Sequence, residues 1–131
     1  MNKIVEKILV VAAHPDDEIL GCGGTIAKKI IEDQALVHLL LLSRGIKSRS
    51  NLKGIKNKIR TNVSGAHKAN NLIGIKHIEL LNFSDNQFDT VSRLKIIKKI
   101  EKKITNFKPN TIYTHFKEDL NLDHQDLLSL Y

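Results

Sequence analysis

Histidine and acidic side chains are concentrated at two points of the chain, about a hundred residues apart. The first is the stretch 14–18, HPDDE, which directly follows the apolar run 8–13. The second is the segment 115–124, HFKEDLNLDH, near the other end of the sequence. Imidazole nitrogens and carboxylate oxygens are ligands that zinc takes, and catalytic zinc sites use three protein ligands and leave a fourth position open to water. The two clusters together could therefore build a catalytic zinc site.

The first cluster has the spacing of a ligand pair. His14 and Asp17 are three residues apart, so a tight turn that enters a helix can direct both side chains to one point. Pro15 stiffens such a turn, because its ring fixes φ and it has no backbone N–H. His124 is the best-placed third ligand. Asp16 would then be the general base that takes a proton from water.

Predicted strands and helices alternate along the chain. Apolar runs typical of strands buried on both faces cover 8–13 and 35–43, and two further strands are predicted at 77–82 and 111–115. Between the strands, apolar residues recur every three or four positions, which predicts three helices. Their stripes are Ile19, Leu20, Gly23, Ile26, Ala27, Ile30 and Ile31; Leu52, Ile55, Ile59, Val63, Ala66, Ala69 and Ile73; and Val91, Leu94, Ile97, Ile100, Ile104 and Phe107. Gly74 is expected to end the second helix, and Asp89 or Thr90 to cap the third.

This alternation predicts an α/β fold with a mostly parallel sheet between helices. Ligands of such sheets bind beyond the carboxyl ends of the strands. Both clusters follow the carboxyl end of a predicted strand, so we expect them to converge at one edge of the sheet.

Composition limits the class of partner. The net charge of +7 suggests nucleic-acid binding, but the chain has no Trp and only 2 Tyr and 4 Phe to stack on bases. Solvated lysine faces on the helices explain the charge better, and they could attract anionic substrates. We therefore expect a small-molecule partner and no nucleic acid.

Cysteine content and hydropathy bear on location. The single Cys22 excludes an internal disulfide and favours a reducing compartment such as the cytoplasm. No apolar run approaches the roughly 20 residues of a membrane span, so a soluble protein without an integral membrane segment is expected. Residues 1–131 have the length of a single domain.

The glycines after the first cluster do not form a dinucleotide-binding fingerprint, because Gly21 lies several residues past the strand. We expect Gly21, Gly23 and Gly24 to let the first helix pack closely on the sheet, with Cys22 in the core. Structural or surface roles are predicted for three further histidines, which are His38, His67 and His77.

The segment 8–28, ILVVAAHPDDEILGCGGTIAK, closely resembles the signature of the PIG-L/LmbE-like family of zinc-dependent N-deacetylases. Members of this family include enzymes that remove acetyl groups from N-acetylglucosaminyl conjugates. The resemblance extends past SDNQFD to the second signature, DLNLDH, and covers the chain from Lys7 to about Leu128. It implies a single PIG-L/LmbE-like domain over residues 1–131, the N-terminal part of a three-layer, Rossmann-like family fold that is incomplete at the C-terminus.

The resemblance also implies roles for individual residues. His14, Asp17 and His124 match the family's zinc ligands, and Asp16 matches the general base. Asp123 matches an acidic residue beside the last ligand, which orients a neighbouring group.

Two further positions, Arg60 and Asn121, match less closely, and the candidates for substrate contact are Arg60 and His115. Arg60 falls where family members often carry an arginine near the substrate. Many members have a histidine where this chain has Asn121, and that histidine stabilises the oxyanion or protonates the leaving amine. Asn121 can donate a hydrogen bond to an oxyanion but cannot deliver a proton. The proton would then come from Asp16, acting as base and then as acid, or from His115.

The expected function is zinc-dependent hydrolysis of the N-acetyl group of an N-acetylglucosamine-type amino sugar or glycoconjugate. One alternative is a truncated, non-catalytic remnant that binds metal or carbohydrate, because family members continue well beyond the helix of His124. The uncovered sheet edge of such a chain would favour homo-oligomers. The other alternative is a metal-dependent phosphoesterase, since carboxylate and histidine clusters also hold two metals.

Overall fold

Strands and helices alternate in the structure as the sequence predicts. The computed structural model describes residues 3–44, 52–83, 93–115 and 123–124. Its elements are β1 (Lys7–Ala12), α1 (Asp17–Asp33), β2 (Leu36–Ser43), α2 (Leu52–Leu72), β3 (His77–Phe83), α3 (Arg93–Phe107) and β4 (Thr111–Tyr113). The predicted cap of the third helix, Asp89 or Thr90, lies outside the described residues.

The four strands form one parallel sheet in the order β3-β2-β1-β4. The first and last strands along the chain are therefore neighbours. In the β1–β4 ladder Ile8 pairs with Thr111 and Val10 with Tyr113. The expected α/β fold with a parallel sheet is confirmed.

A hydrophobic core lies on each face of the sheet, which makes three layers. On one face, β1 and β2 pack with α1 and α2 through Ile8, Val10, Ala12, Ile26, Val37, Leu39, Leu41 and Ala66. On the other face, they pack with α3 through Leu9, Val11, Ala13, Leu40, Leu42, Ile96, Ile100 and Phe107. Because successive residues of a strand point to opposite faces, a strand covered on both sides must be apolar at every position, as β1 is.

The predicted apolar stripe of α1 is too wide. Leu20 is 85 % exposed and Ile31 is 77 % exposed, whereas Ile26 is buried. At 3.6 residues per turn, one face of α1 cannot include every apolar position of this helix. Leu20 and Ile31 therefore lie outside the face that packs on the sheet.

The predicted role of the α1 glycines is wrong at all three positions. A Cβ atom added at Gly21 or at Gly24 would meet no atom within 4 Å. At Gly23, its nearest neighbours would be side-chain atoms of Ile19 in the same helix, the first at 3.6 Å. None of these glycines is required by a close approach of α1 to the sheet.

Gly74 ends α2 as predicted. Its φ of 100° is in the left-handed region that glycine adopts without strain. The N–H of Gly74 donates to the Asn71 carbonyl and that of Ile75 to the Asn70 carbonyl, which satisfies the last carbonyls of the helix.

Cys22, His38 and His67 have structural or surface positions, as the sequence predicts. Cys22 is half-buried and packs against the core between α1 and the sheet. His38 stacks between His77 and Phe107, and His67 is exposed on α2. In the described ranges, none of the helices has the length and apolar character of a membrane span.

Candidate metal centre

Strand order brings the two clusters together. Because β4 pairs with β1 and both run in the same direction, their carboxyl ends lie at the same edge of the sheet. His14 follows β1 there, and His115 follows β4. His124 also reaches this edge, and its side chain is largely buried.

The turn between β1 and α1 is held by its own hydrogen bonds. The backbone N–H of His14 donates to Oδ2 of Asp17 at 2.9 Å, and the N–H of Asp17 donates to the carbonyl of His14 at 3.3 Å. Asp16, at the N-cap of α1, has a φ of 84°. This left-handed conformation costs a residue other than glycine on the order of 1–3 kcal/mol, although Asp tolerates it better than most.

Three side-chain atoms meet in a small triangle. Nδ1 of His14 lies 3.2 Å from Oδ2 of Asp17, and Nε2 of His124 lies 2.9 Å from that oxygen. The two imidazole nitrogens are 3.3 Å apart. Tetrahedral zinc with ligand distances of 2.0–2.1 Å separates its ligand atoms by about 3.3 Å. The described residues thus offer a donor set with the composition and spacing of a three-ligand zinc site.

The electrostatics of Asp17 favour a ligand that is already ionised. Burial on its own would raise the pKa of this carboxyl, but its contacts with the side chain and the backbone N–H of His14, together with the charge of His124, lower it below its usual value. A carboxylate must be deprotonated to bind a metal.

Asp123 fixes the ring of His14. Its side chain is fully buried, and its Oδ2 lies 2.7 Å from Nε2 of His14. A hydrogen bond from Nε2 leaves Nδ1 as the nitrogen that faces the other two ligand atoms. Carboxylate partners of this kind set the tautomer and orientation of metal-binding histidines.

Asp16 is exposed and makes no side-chain capping hydrogen bond to α1. Its carboxylate is therefore not engaged at the helix terminus, although it occupies the N-cap position. This placement, next to Asp17 in the sequence, leaves the carboxylate open to solvent.

His115 lies inside the cluster but is not a fourth member of the triangle. Its Nε2 accepts a hydrogen bond from the N–H of Ala13 at 2.8 Å and is 3.8 Å from Oδ2 of Asp17. Its ring stacks on that of His124 with 3.6 Å between centroids and 13° between planes.

The structure does not bring Arg60 to this cluster. Arg60 is exposed on α2, where it borders a shallow depression with Thr61, Ser64, Gly65 and Lys68. That depression shares no lining residue with the groove of about 350 Å³ beside His124, Asp17 and His115. Asn121 lies outside the described residues.

Sequence reasoning missed a polar pair next to the site. Glu18 and Asn70 are both buried, and Nδ2 of Asn70 donates to Oε1 of Glu18 at 2.8 Å and to the carbonyl of Ala66 at 2.8 Å. Burial raises the pKa of Glu18, and the charges of Asp16 and Asp17 raise it further. The hydrogen bond from Asn70 acts in the opposite direction and lowers this pKa. The sequence contains one indication of this pair. Asn70 lies one turn after Ala66, so a polar residue occupies the apolar stripe of α2.

Comparison with known proteins identifies the family of this chain from its sequence and relates its fold to solved structures. The sequence profile of the family described as "PIG-L: GlcNAc-PI de-N-acetylase" matches residues 9–130. No curated protein matches the chain in sequence.

Several solved structures have a similar fold. One is N,N'-diacetylchitobiose deacetylase from Pyrococcus horikoshii, with a TM-score of 0.80 and 22 % identity over 95 % of this chain and 47 % of that one. Another is GalB, the 4-carboxy-2-hydroxymuconate hydratase from Pseudomonas putida KT2440, with a TM-score of 0.79 and 20 % identity over 96 % of this chain and 54 % of that one. A zinc-inhibited form of the teicoplanin deacetylase Orf2 has a TM-score of 0.77 and 13 % identity over 95 % and 61 % of the two chains. The chain thus spans about half the length of the first two.

Proposed function

Because the chain belongs to the PIG-L family of GlcNAc-PI de-N-acetylases, we propose that it hydrolyses the N-acetyl group of an N-acetylglucosamine-type amino sugar or glycoconjugate. The observation that carries this proposal is the triangle of His14, Asp17 and His124, with side-chain separations of 2.9–3.3 Å. We take residues 1–131 as one domain corresponding to the N-terminal part of the family fold.

His14, Asp17 and His124 would hold the zinc ion. A zinc ion bound there supplies Lewis acidity towards water and towards the amide carbonyl. Asp123 keeps the His14 ring in the orientation that presents Nδ1 to the other two ligand atoms.

Asp16 would act as the general base. Its exposed carboxylate adjoins a ligand and is not used to cap α1, so it can take a proton from the attacking water and return it to the leaving amine. His115 is a weaker candidate for this second step, because its Nε2 accepts the Ala13 N–H and carries no proton in that hydrogen bond. Asn121 as oxyanion donor and Arg60 as substrate contact stay part of the proposal on the family resemblance alone.

The test is the Asp16→Asn substitution in the zinc-loaded full chain. Asn tolerates the left-handed backbone of this position, so the variant removes the base without adding strain. General-base catalysis is worth about 10²- to 10⁴-fold, and we expect the release of acetate from N-acetylglucosamine glycosides to fall by at least about 100-fold. Asp33→Asn, at the exposed other end of α1, is the matched control and should retain the wild-type rate.

Two results would contradict the proposal. An undiminished rate in Asp16→Asn would remove Asp16 from the mechanism. A zinc-loaded wild-type chain that released acetate from no acetylated amino sugar would favour the non-catalytic remnant over the enzyme.

Two other reactions are less well supported. The likeness to GalB concerns the fold alone, and the family assignment favours deacetylation over hydration. A two-metal phosphoesterase needs a second ligand cluster, and the described residues contain the single group of His14, Asp17 and His124. Bound metal discriminates here as well, because the deacetylase proposal expects one zinc ion per chain.

A further inference from the structure

We propose that His115 is a positioning residue of the metal centre, which fixes the backbone before one ligand and the ring plane of another. The inference rests on the proposed zinc site and assigns His115 a role different from substrate contact or proton transfer. Two independent contacts of the same imidazole carry it.

The first contact extends the β1–β4 ladder beyond the end of β4. The last paired residues of the two strands are Val10 and Tyr113. At Ala13 the N–H donates to Nε2 of His115 at 2.8 Å, in place of a backbone carbonyl of the neighbouring strand.

The carbonyl of Ala13 is held from the other side. It accepts a hydrogen bond from the N–H of Ser43, at the end of β2, at 2.9 Å. Ala13 is fully buried, so its N–H has to find a partner within the protein. The residue that directly precedes the ligand His14 is therefore clamped between two elements, and His115 provides one half of the clamp.

The second contact restricts His124. The torsion that turns an imidazole ring about its Cβ–Cγ bond has a broad preference, so the ring plane of His124 must be set by its neighbours. His115 lies flat against it, with 3.6 Å between centroids and 13° between planes. In this orientation, Nε2 of His124 is 2.9 Å from Oδ2 of Asp17. The stack thus supports the orientation in which His124 completes the triangle.

His115 acts through these neighbours rather than as a ligand. Its Nε2 already accepts a hydrogen bond from the N–H of Ala13. The distance of 3.8 Å from this nitrogen to Oδ2 of Asp17 is longer than a hydrogen bond. A neutral imidazole whose Nε2 accepts a hydrogen bond carries its proton on Nδ1. One side chain after β4 therefore supports ligands from both ends of the chain.

Two substitutions separate the contacts. His115→Phe keeps a ring for the stack and removes the acceptor, whereas His115→Gln keeps an acceptor and removes the ring. His67→Phe and His67→Gln, on the exposed face of α2, are the matched controls. Zinc affinity is measured on the full chain by competition with a chromophoric chelator, and the ligand geometry by the visible spectrum of the cobalt-substituted protein.

Loss of an orienting partner typically lowers metal affinity by about 10- to 100-fold. We expect each His115 variant to bind zinc about 10-fold more weakly and to change the cobalt spectrum, while far-UV circular dichroism reports a folded chain. The His67 variants should match the wild type in both measurements. Wild-type affinity and an unchanged cobalt spectrum in folded His115→Phe and His115→Gln would overturn the proposal, even if their melting temperatures fell.

A measurement on the wild type tests the hydrogen bond between Ala13 and His115 without any variant. In ¹⁵N NMR spectra, His115 should show an unprotonated Nε2, and the Ala13 amide should exchange slowly with solvent. A proton on Nε2 of His115 would overturn the clamp. A wild-type chain that bound no zinc would overturn the metal centre and this role together, whereas zinc binding without acetate release would overturn the deacetylase and leave the role of His115 intact.

Discussion

His14 takes part in the site with both nitrogens of its ring and with its backbone N–H. Nδ1 faces the other two ligand atoms, Nε2 contacts Asp123 at 2.7 Å, and the N–H donates to Asp17 at 2.9 Å. Each of these contacts restrains a different degree of freedom of the residue. In the proposed zinc site, a ligand held in this way would bind its metal with little further ordering, because the partners of a metal ligand orient it before the metal arrives.

A histidine outside the site makes stability depend on pH. His38 stacks between His77 and Phe107. Burial, and then the charges of Lys103, His77 and Lys7, lower the pKa of His38 from 6.5 to about 4. Its ring is therefore neutral in the native protein through the range in which the unfolded chain takes up a proton.

We expect this histidine to lower the free energy of unfolding as the pH falls from 6.5 to about 4. Above pH 6.5 the group is neutral in both states and has no effect, and below about 4 the loss levels off. The slope should be less than the roughly 1.4 kcal/mol per pH unit of one fully linked proton, because solvent reaches part of the ring and screens its charge.

Urea unfolding at several pH values checks this expectation. His38→Phe, which keeps the aromatic stack, should lose stability less steeply than the wild type between pH 6.5 and 4. His67→Phe should follow the wild type. Parallel curves for His38→Phe and the wild type would show that His38 does not titrate as stated.

At the scale of elements, α1 begins at Asp17 of the proposed metal site, and α2 contacts the first turn of α1. Asn70 of α2 donates to Glu18, the residue after Asp17, and both side chains are buried. Glu18 Oε2 and Asn70 Oδ1 have no hydrogen-bond partner among the described protein atoms, so the Nδ2–Oε1 bond is the observed polar link between these two side chains. The first turn of α1 thus depends on a helix that contributes no residue to the triangle of His14, Asp17 and His124.

Asn70→Ala should destabilise the protein by about 1–3 kcal/mol, because it leaves the buried Oε1 of Glu18 without its donor. Asn71→Ala is the control, since Asn71 is exposed and only its backbone carbonyl is used, by Gly74. Denaturant unfolding measures both variants. Equal stabilities for the two variants would argue against the Glu18–Asn70 link.

Two glycine substitutions should have opposite signs. Gly74→Ala places a Cβ at a φ of 100° and 3.0 Å from Cγ2 of Ile30, so both backbone strain and crowding lower stability, by about 1–3 kcal/mol. Gly24→Ala lies inside α1 with no atom within 4 Å and should raise stability by about 0.5–1 kcal/mol through helix propensity. Thermal unfolding compares them, and a stabilised Gly74→Ala would contradict the account of how α2 ends.

For the molecule as a whole, a bound metal would join residues from the two ends of the sequence. His14 and Asp17 precede or begin α1, whereas His124 lies 107 residues beyond Asp17. A ligand that binds the native state alone stabilises it by mass action, by about 2.7 kcal/mol at a concentration 100 times its Kd.

Zinc should therefore raise the melting temperature in proportion to the logarithm of its concentration, and the effect should be reversed by chelation. Mg²⁺, which prefers oxygen ligands in octahedral geometry, is the control and should leave the melting temperature unchanged. Differential scanning calorimetry gives the measurement. A zinc-independent melting temperature would contradict the metal centre.

Much of this protein follows from local patterns in its sequence. The apolar runs and helical stripes predict the order of the elements, and the HPDDE spacing predicts a turn that brings His14 and Asp17 to one point, because both depend on residues a few positions apart. Periodicity did not predict which apolar residues of α1 stay exposed, as Leu20 and Ile31 do, since the stripe gives the direction of each side chain but not what covers it.

Only the tertiary structure decided the partners of the site residues. The order β3-β2-β1-β4 makes the last strand the neighbour of the first, and that choice depends on packing over the whole sheet. From it follow the contact of Asp123 with His14 and the clamp of His115 on Ala13. Hydrogen bonds across more than a hundred residues leave no periodic trace in the sequence, because their geometry is set by the global fold rather than by spacing along the chain.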